Sequence, residues 1–389
     1  MKNPAFWRVS FLNEFCSSKI WVYFRCYQKK NCLNEEVKNK FAVIGSGSFA
    51  TALVKILNDN KVPLHWFVRN QHIVDHVKKY GHNPSYLRSA SFKADLLELS
   101  TNLAETIQKA EYIILAIPSA YAEEVLGGLP KNIFEGKKII SAIKGIIPGK
   151  NLLLNDYLKN EFEFDINDYY TIMGPCHAEE VATEKLSYLT FTGLHDKTAQ
   201  WIADQFKNHY INTVINDDVY GVQFAAILKN IYAMGSGIAH GLEYGDNFLS
   251  VFIANAADEM AGFLRKVGIR NIEVGVHKEP IPGVQLLKKS FSKSANYAAS
   301  VYMGDLLVTC YSMYSRNRTF GNMIGKGFTV KAAQLEMNMV AEGYNASKSF
   351  FNINKEVGAD MPIANTVYKI LWENVPPAVA FEQLEGELI

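Results

Sequence analysis

Three stretches of this 389-residue sequence carry side chains suited to chemistry on a small anionic molecule. QFAAILKNIYA sets Lys229 among Phe224, Ala225, Ala226, Ile227, Leu228 and Ile231. A lysine so enclosed loses solvation of its ammonium, its pKa falls, and it becomes an acid or base usable near neutral pH. The plainer alternative is a lysine whose stem follows a core helix while its head reaches water. SAIKGI places Lys144 at the end of an apolar run, and GDLLVTCYSMYSRNRTFG carries Asp305, Ser315, Arg316, Asn317 and Arg318. A guanidinium fork suits phosphate and the serine and asparagine add neutral donors, although such a run also makes an ordinary solvated turn.

A fourth stretch, VIGSGSFATA at 43–52, speaks to a cofactor. Gly45 permits a tight strand-to-helix turn, Gly47 lets backbone approach a pyrophosphate, and Ala50 stands where a small residue allows close helix–strand packing. The helix that follows would present its N-terminal N–H groups and positive dipole end to the phosphates. GxGxxA alone is a weak signal; its position after a strand and before a helix strengthens it. At the end of the next strand stands Arg69 rather than an acidic residue. Arginine there suits an adenine face or a 2′-phosphate, so the cofactor is read as NAD or NADP.

The elements that must hold these residues follow from periodicity. FAVIG, VPLHWFV, YIILAIP and KKIISAIK are apolar, β-branched runs bounded by turn signals, and TALVKILNDN repeats apolar positions at Ala52, Leu53, Ile56 and Leu57. Strands alternating with helices predict an α/β, Rossmann-type doubly wound parallel sheet, and ligands of such sheets collect beyond the strands' carboxyl ends, where Lys144 falls. From residue 218 the sequence becomes strand-poor: VYGVQFAAILKNIYAMGSGIAHGL, FLSVFIANAADEMAGFLRKVG and the stretch Tyr344 to Glu356 are patterned as helices. The expected organisation is an N-terminal extension over 1–39, poorly ordered, a dinucleotide-binding domain over 40–217 and an all-α domain over 218–389.

Composition excludes several classes of partner. With 40 basic against 39 acidic side chains, nothing points to nucleic acid or an anionic membrane surface, and a small molecule is the simpler partner. Five cysteines without CxxC spacing suggest neither a zinc site nor a disulfide framework, and fit a cytoplasmic protein without a metal. The apolar stretch near Ile20 to Phe24 is broken by Arg25 and is too short for a stable membrane anchor.

Taken together the segments resemble one family, the bacterial-type NAD(P)-dependent glycerol-3-phosphate dehydrogenases. The matching stretches run in order from GSGSFATA through HNPSYL, AIPSAY, IKGI, GPCHAEEVA, LKNIYAMGSGIAHGLEYGDN, the SRNR segment, VAEGY and MPIANTVYKIL. The resemblance implies a C-terminal domain like that of 6-phosphogluconate dehydrogenase, and reversible reduction of dihydroxyacetone phosphate to sn-glycerol 3-phosphate, a precursor of phospholipids. It implies Lys229 as general acid, Lys144 near cofactor and substrate, Asp305 in the lysine's polar network, and Ser315, Arg316 and Asn317 at the phosphate. Gly174 and Cys176 match substrate contacts. Ser48, Phe49, Arg69, Tyr121, Ala178, Arg316, Val340 and Glu342 match positions lining the nucleotide site. A homodimer is also implied. The family commonly has serine or threonine where Cys176 stands, and a thiol is the poorer hydrogen-bond partner. Cys176 beside His177 could also suggest nucleophilic catalysis, but sequence neighbours rarely face each other and nothing marks an oxyanion hole. Two rival readings keep parts of the pattern: a reductase of another small hydroxy acid, which would not need SRNR, and a non-catalytic NAD(P)-sensing module, which would not need the lysines.

Overall fold

The computed structural model describes residues 40–269, 301–337 and 341–388; the extension 1–39 and Val340 lie outside the described residues. The first part alternates strands and helices: β1 (Phe41–Ile44), α1 (Ser48–Asp59), β2 (Leu64–Phe67), α2 (Gln71–Tyr80), β3 (Leu97–Ser100), α3 (Leu103–Gln108), β4 (Tyr112–Leu115), α4 (Ala122–Leu126) and β5 (Lys138–Ser141). It continues with α5 (Leu154–Phe162), β6 (Tyr169–Met173), α6 (Ala178–Ala182), β7 (Ser187–Gly193), α7 (Asp196–Phe206) and β8 (Ile211–Asn216). After β8 the described chain is helical: α8 (Val219–Gly241), α9 (Asp246–Lys266), α10 (Met303–Tyr311), α11 (Arg316–Gly325), α12 (Val330–Glu336), α13 (Glu342–Val357), α14 (Pro362–Trp372) and α15 (Pro377–Glu385).

The strands form one sheet in the order β3-β2-β1-β4-β5-β6-β7-β8. Neighbours from β3 to β6 run parallel, as the alternating pattern predicts. The β7–β8 pair is internally parallel but runs antiparallel to β6. The return begins at Gly174, whose φ of +118° suits a residue without a side chain and whose added Cβ would lie 2.8 Å from the Tyr188 carbonyl of β7.

Both faces of the sheet are covered, so its strands read as continuous apolar runs rather than alternating ones. On β1, Phe41 and Val43 join an apolar layer with Leu53, Ile56 and Leu57 of α1, while Ala42 and Ile44 face Ile107, Leu126 and Leu158. The strand order reverses between β1 and β4, which opens a crevice at their carboxyl ends.

In the helical part, α8 is apolar nearly all round and packs against α9, α10, α11, α13 and α14. Its closest partner is α11, and the two meet backbone to backbone. Gly237 and Gly241 of α8 abut the carbonyls of Arg318 and Asn322, and Gly321 and Gly325 of α11 abut those of Met234 and Ile238. A Cβ added at Gly241 would lie 2.5 Å from the Asn322 oxygen, nearer than real side chains pack. Glycine weakens an isolated helix, and here it is retained where the helix axes must come close.

Candidate active site

The crevice between β1 and β4 continues into a cleft that α8, α10, α11 and α13 of the C-terminal part close from above. Its floor is the glycine turn. Gly45 leaves β1 with φ +126°, and an added Cβ would collide with the Ala116 carbonyl at the end of β4. The buried Trp66 indole donates to the Gly45 carbonyl at 2.7 Å. The fully buried Asn83 donates to the Ser46 carbonyl at 3.1 Å and to Thr51 Oγ1 at 2.9 Å. The turn is therefore held from both sides. A Cβ on Gly47 would meet nothing within 4 Å, so the backbone here opens onto free space at the N-terminus of α1. Room left by the protein beside helix-terminal N–H groups fits a pyrophosphate.

The helical side supplies the charge. Lys229 is only 3% exposed, and its ammonium forms an ion pair with the equally buried Asp305 of α10. Desolvation is the main influence on Lys229 and lowers its pKa to about 8; Asp305 opposes the fall and Lys144 adds to it. Thr309 holds Asp305 in turn, donating to its backbone carbonyl at 2.5 Å. The Lys144 ammonium lies 4.4 Å from the Phe49 ring centroid, over the start of α1. Asn230, the neighbour of Lys229, donates to the Lys144 carbonyl at 3.2 Å and so ties the exit of β5 to α8.

Ser315 caps α11, accepting from the Arg318 N–H at 3.3 Å. Arg316 and Asn317 thereby stand in the first turn of that helix, facing the cleft. The Asn317 side-chain oxygen accepts from the Gly343 N–H at 3.0 Å, which leaves its NH₂ as the group on offer. Glu342 closes the far wall. Burial raises its pKa, while Lys144 and a hydrogen bond from the Ser119 backbone oppose that rise.

One cleft thus brings together Gly47, Ser48, Phe49, Lys144, Cys176, Ala178, Lys229, Ser315, Arg316, Asn317 and Glu342, with Asp305 directly behind Lys229. Gly45 and Gly174 shape the backbone at two strand ends. Arg69 and Tyr121 are not in the cleft wall. Arg69 sits just past β2 with a side chain 78% exposed, 3.5 Å from Glu124, and Tyr121 is exposed beyond β4.

Cys176 and His177 do not make a nucleophile. Burial pushes the Cys176 thiol up to about 12, and burial with the nearby lysines pulls His177 down to about 4, so both are neutral at physiological pH. Among the described residues no group of His, Cys, Asp and Glu is arranged to hold a metal, and no helix is long and apolar enough to cross a membrane. Sequence reasoning missed Asn230 and Thr309 in the wall and Asn83 behind the turn. All three are polar residues at 6% exposure or less, and their partners are distant in sequence or in the backbone, which no local pattern marks.

Residues 40–199 match the family model described as NAD-dependent glycerol-3-phosphate dehydrogenase N-terminus, and residues 218–382 match its C-terminus counterpart. A glycerol-3-phosphate dehydrogenase [NAD(P)+] of Bacillus cytotoxicus is 31% identical over 87% of this chain and 94% of its own length. One from Staphylococcus carnosus is 30% identical over 90% and 98%. Among solved structures, the glycerol-3-phosphate dehydrogenase of Coxiella burnetii superposes with a TM-score of 0.78 at 24% identity, covering 90% of this chain and 99% of that one. That of Plasmodium falciparum gives 0.70 at 21%, covering 90% and 95%. The chain belongs to the NAD-dependent glycerol-3-phosphate dehydrogenase family.

Proposed function

We propose that this protein reversibly reduces dihydroxyacetone phosphate to sn-glycerol 3-phosphate with NADH or NADPH, in the cleft between a nucleotide-binding domain over 40–217 and a catalytic domain over 218–389. The observation that carries the reading is the buried Lys229–Asp305 pair facing the glycine turn across one cleft, with Arg316 and Asn317 at its end.

Gly45, Gly47, Ser48, Phe49, Ala178 and Glu342 would hold the dinucleotide, with Arg69 and Tyr121 at its edge; Val340, outside the described residues, joins the proposed set by the resemblance alone. Bound there, the nucleotide supplies a hydride to the substrate carbonyl carbon. Lys229, charged below pH 8, stabilises the negative charge that develops on the carbonyl oxygen and then gives it a proton. Asp305 keeps the ammonium charged despite burial and fixes its position. Lys144, with Gly174 and Cys176 beside it, lines the carbonyl end; its charge favours the same oxyanion. The Arg316 guanidinium, the Asn317 NH₂ and the Ser315 hydroxyl hold the phosphate, so that binding energy from a non-reacting group positions the carbonyl. A sensing module has no use for a buried lysine–aspartate pair, and a hydroxy acid without phosphate has none for the α11 terminus.

The decisive assay follows oxidation of NADH and of NADPH on addition of dihydroxyacetone phosphate. Turnover with either is expected; silence with both overturns the reading. The product would serve phospholipid synthesis in the cytoplasm. A homodimer belongs to the same proposal, supported by Met313 and Leu335, apolar side chains 80% and 73% exposed; sedimentation velocity of the full chain tests it.

A further inference from the structure

The two lysines of the cleft are held in different ways. Lys229 is fixed by a carboxylate, that of Asp305. Lys144 stands just past β5, where Asn230 pins its backbone carbonyl and leaves the long side-chain stem free to turn. Among the described residues its ammonium makes no hydrogen bond and no ion pair, and Glu342, in the same cleft, feels its charge without pairing with it. What the ammonium does meet is a ring. It lies over Phe49, 4.4 Å from the ring centroid, and both residues are half-buried. A cation at that distance is attracted to the negative face of the ring, and the attraction grows as water is excluded.

Phe49 is the second residue of α1, inside GSGSFA. The turn owes its shape to Gly45, Gly47 and Ala50, and none of their roles calls for an aromatic neighbour. A ring also does what a carboxylate cannot. An acid paired with Lys144 would orient it and cancel its charge, whereas a neutral ring orients it and leaves the whole positive charge to an anionic substrate. We propose that Phe49 is a positioning residue, which holds the Lys144 ammonium by a cation–π contact and aims it at the negative charge forming on the substrate carbonyl oxygen. The assignment rests on the function proposed above. The first turn of α1 then serves the nucleotide with its backbone and the chemistry with a side chain, acting through Lys144.

The test replaces Phe49 in the full-length protein by phenylalanines carrying one, three and five ring fluorines, introduced by amber suppression. Fluorine drains negative charge from the ring face and nearly preserves its shape, so a ring that merely fills space responds little. The kcat for reduction of dihydroxyacetone phosphate by NADH should fall stepwise along the series, by about 2- to 30-fold in all, with Phe49→Leu at the bottom. The Kd for NADH should stay within about twofold across the fluorinated proteins. In a Lys144→Gln background the series should be flat, because the cation that senses the ring is gone. Where that background turns over too slowly, the Kd of glycerol 3-phosphate for the NADH-bound protein supplies the same comparison without chemistry. An equal fall in the Lys144→Gln background, a rate indifferent to fluorination, or a change confined to NADH affinity would each overturn the role of Phe49. Wild-type protein inactive on dihydroxyacetone phosphate with both nucleotides would instead overturn the function on which it rests.

Discussion

The two walls of the cleft are built on different principles. The sheet side, from β1 and β4, makes its surface from main chain: Gly45 and Gly47, carbonyls pinned by Trp66 and Asn83, and the start of α1. The helical side makes its surface from charged side chains, Lys229 on α8 and Arg316 on α11, with Asp305 of α10 paired behind Lys229. A main-chain surface recognises a shape and hardly changes with pH. A surface of buried charges can move protons, and its strength depends on how each charge is desolvated and paired. Binding and chemistry should therefore respond separately to mutation.

The largest expected effect is on the helical side. Lys229→Ala should lower kcat by about 10²- to 10⁴-fold while the Kd for NADPH, read by fluorescence titration, stays within about twofold. A matching loss of nucleotide affinity would break the separation. Next comes the sheet side: Gly47→Val adds a side chain into space where nothing lies within 4 Å, so the melting temperature should hold while the nucleotide Kd rises about 10- to 100-fold. Unaltered affinity would mean that the turn does not meet the phosphates.

The third effect is a displaced pH profile. Lys229 must be protonated to act as acid, so reduction should decline and the reverse oxidation rise as pH passes about 8. Asp305 raises the lysine's pKa, so Asp305→Asn should move both limbs to lower pH. A profile that stays in place would separate the titration from Lys229. The smallest effect concerns Arg69, whose ion pair with Glu124 is solvent-exposed on both sides. Arg69→Ala should leave stability unchanged within about 0.5 kcal/mol and weaken NADPH relative to NADH by several-fold at most, measured as a ratio of Kd values.

Much of this contrast is legible in the sequence. The four strands β1, β2, β4 and β5 lie in apolar runs bounded by breakers, and the flanks of Lys229 announce its burial because an all-round apolar helix has nowhere to present a lysine except inward. The strands β3, β6, β7 and β8 did not stand out. LELS lies at a sheet edge with one buried position, and SYLTFTG and INTVIN mix polar residues into their runs. The direction of β7 is set by its partner, which no local pattern encodes. The glycines of α8 and α11 look like helix-weakening residues until the two helices are seen together. Arg69 shows the reverse: its place after β2 is readable, but its outward course is not.

The glycine contacts between α8 and α11 have a metrical consequence. Side chains that separate most helix pairs are compressible spacers, able to rotate and let one axis slide on the other. With main chain against main chain there is no such spacer, so Lys229 on one helix and Arg316 on the other sit at a gauge length that cannot stretch. Under the proposed roles, a ketone with one more methylene between carbonyl and phosphate cannot reach both residues at once. Substrate length would then be measured by the backbone of the protein, at a distance from every atom that touches the substrate.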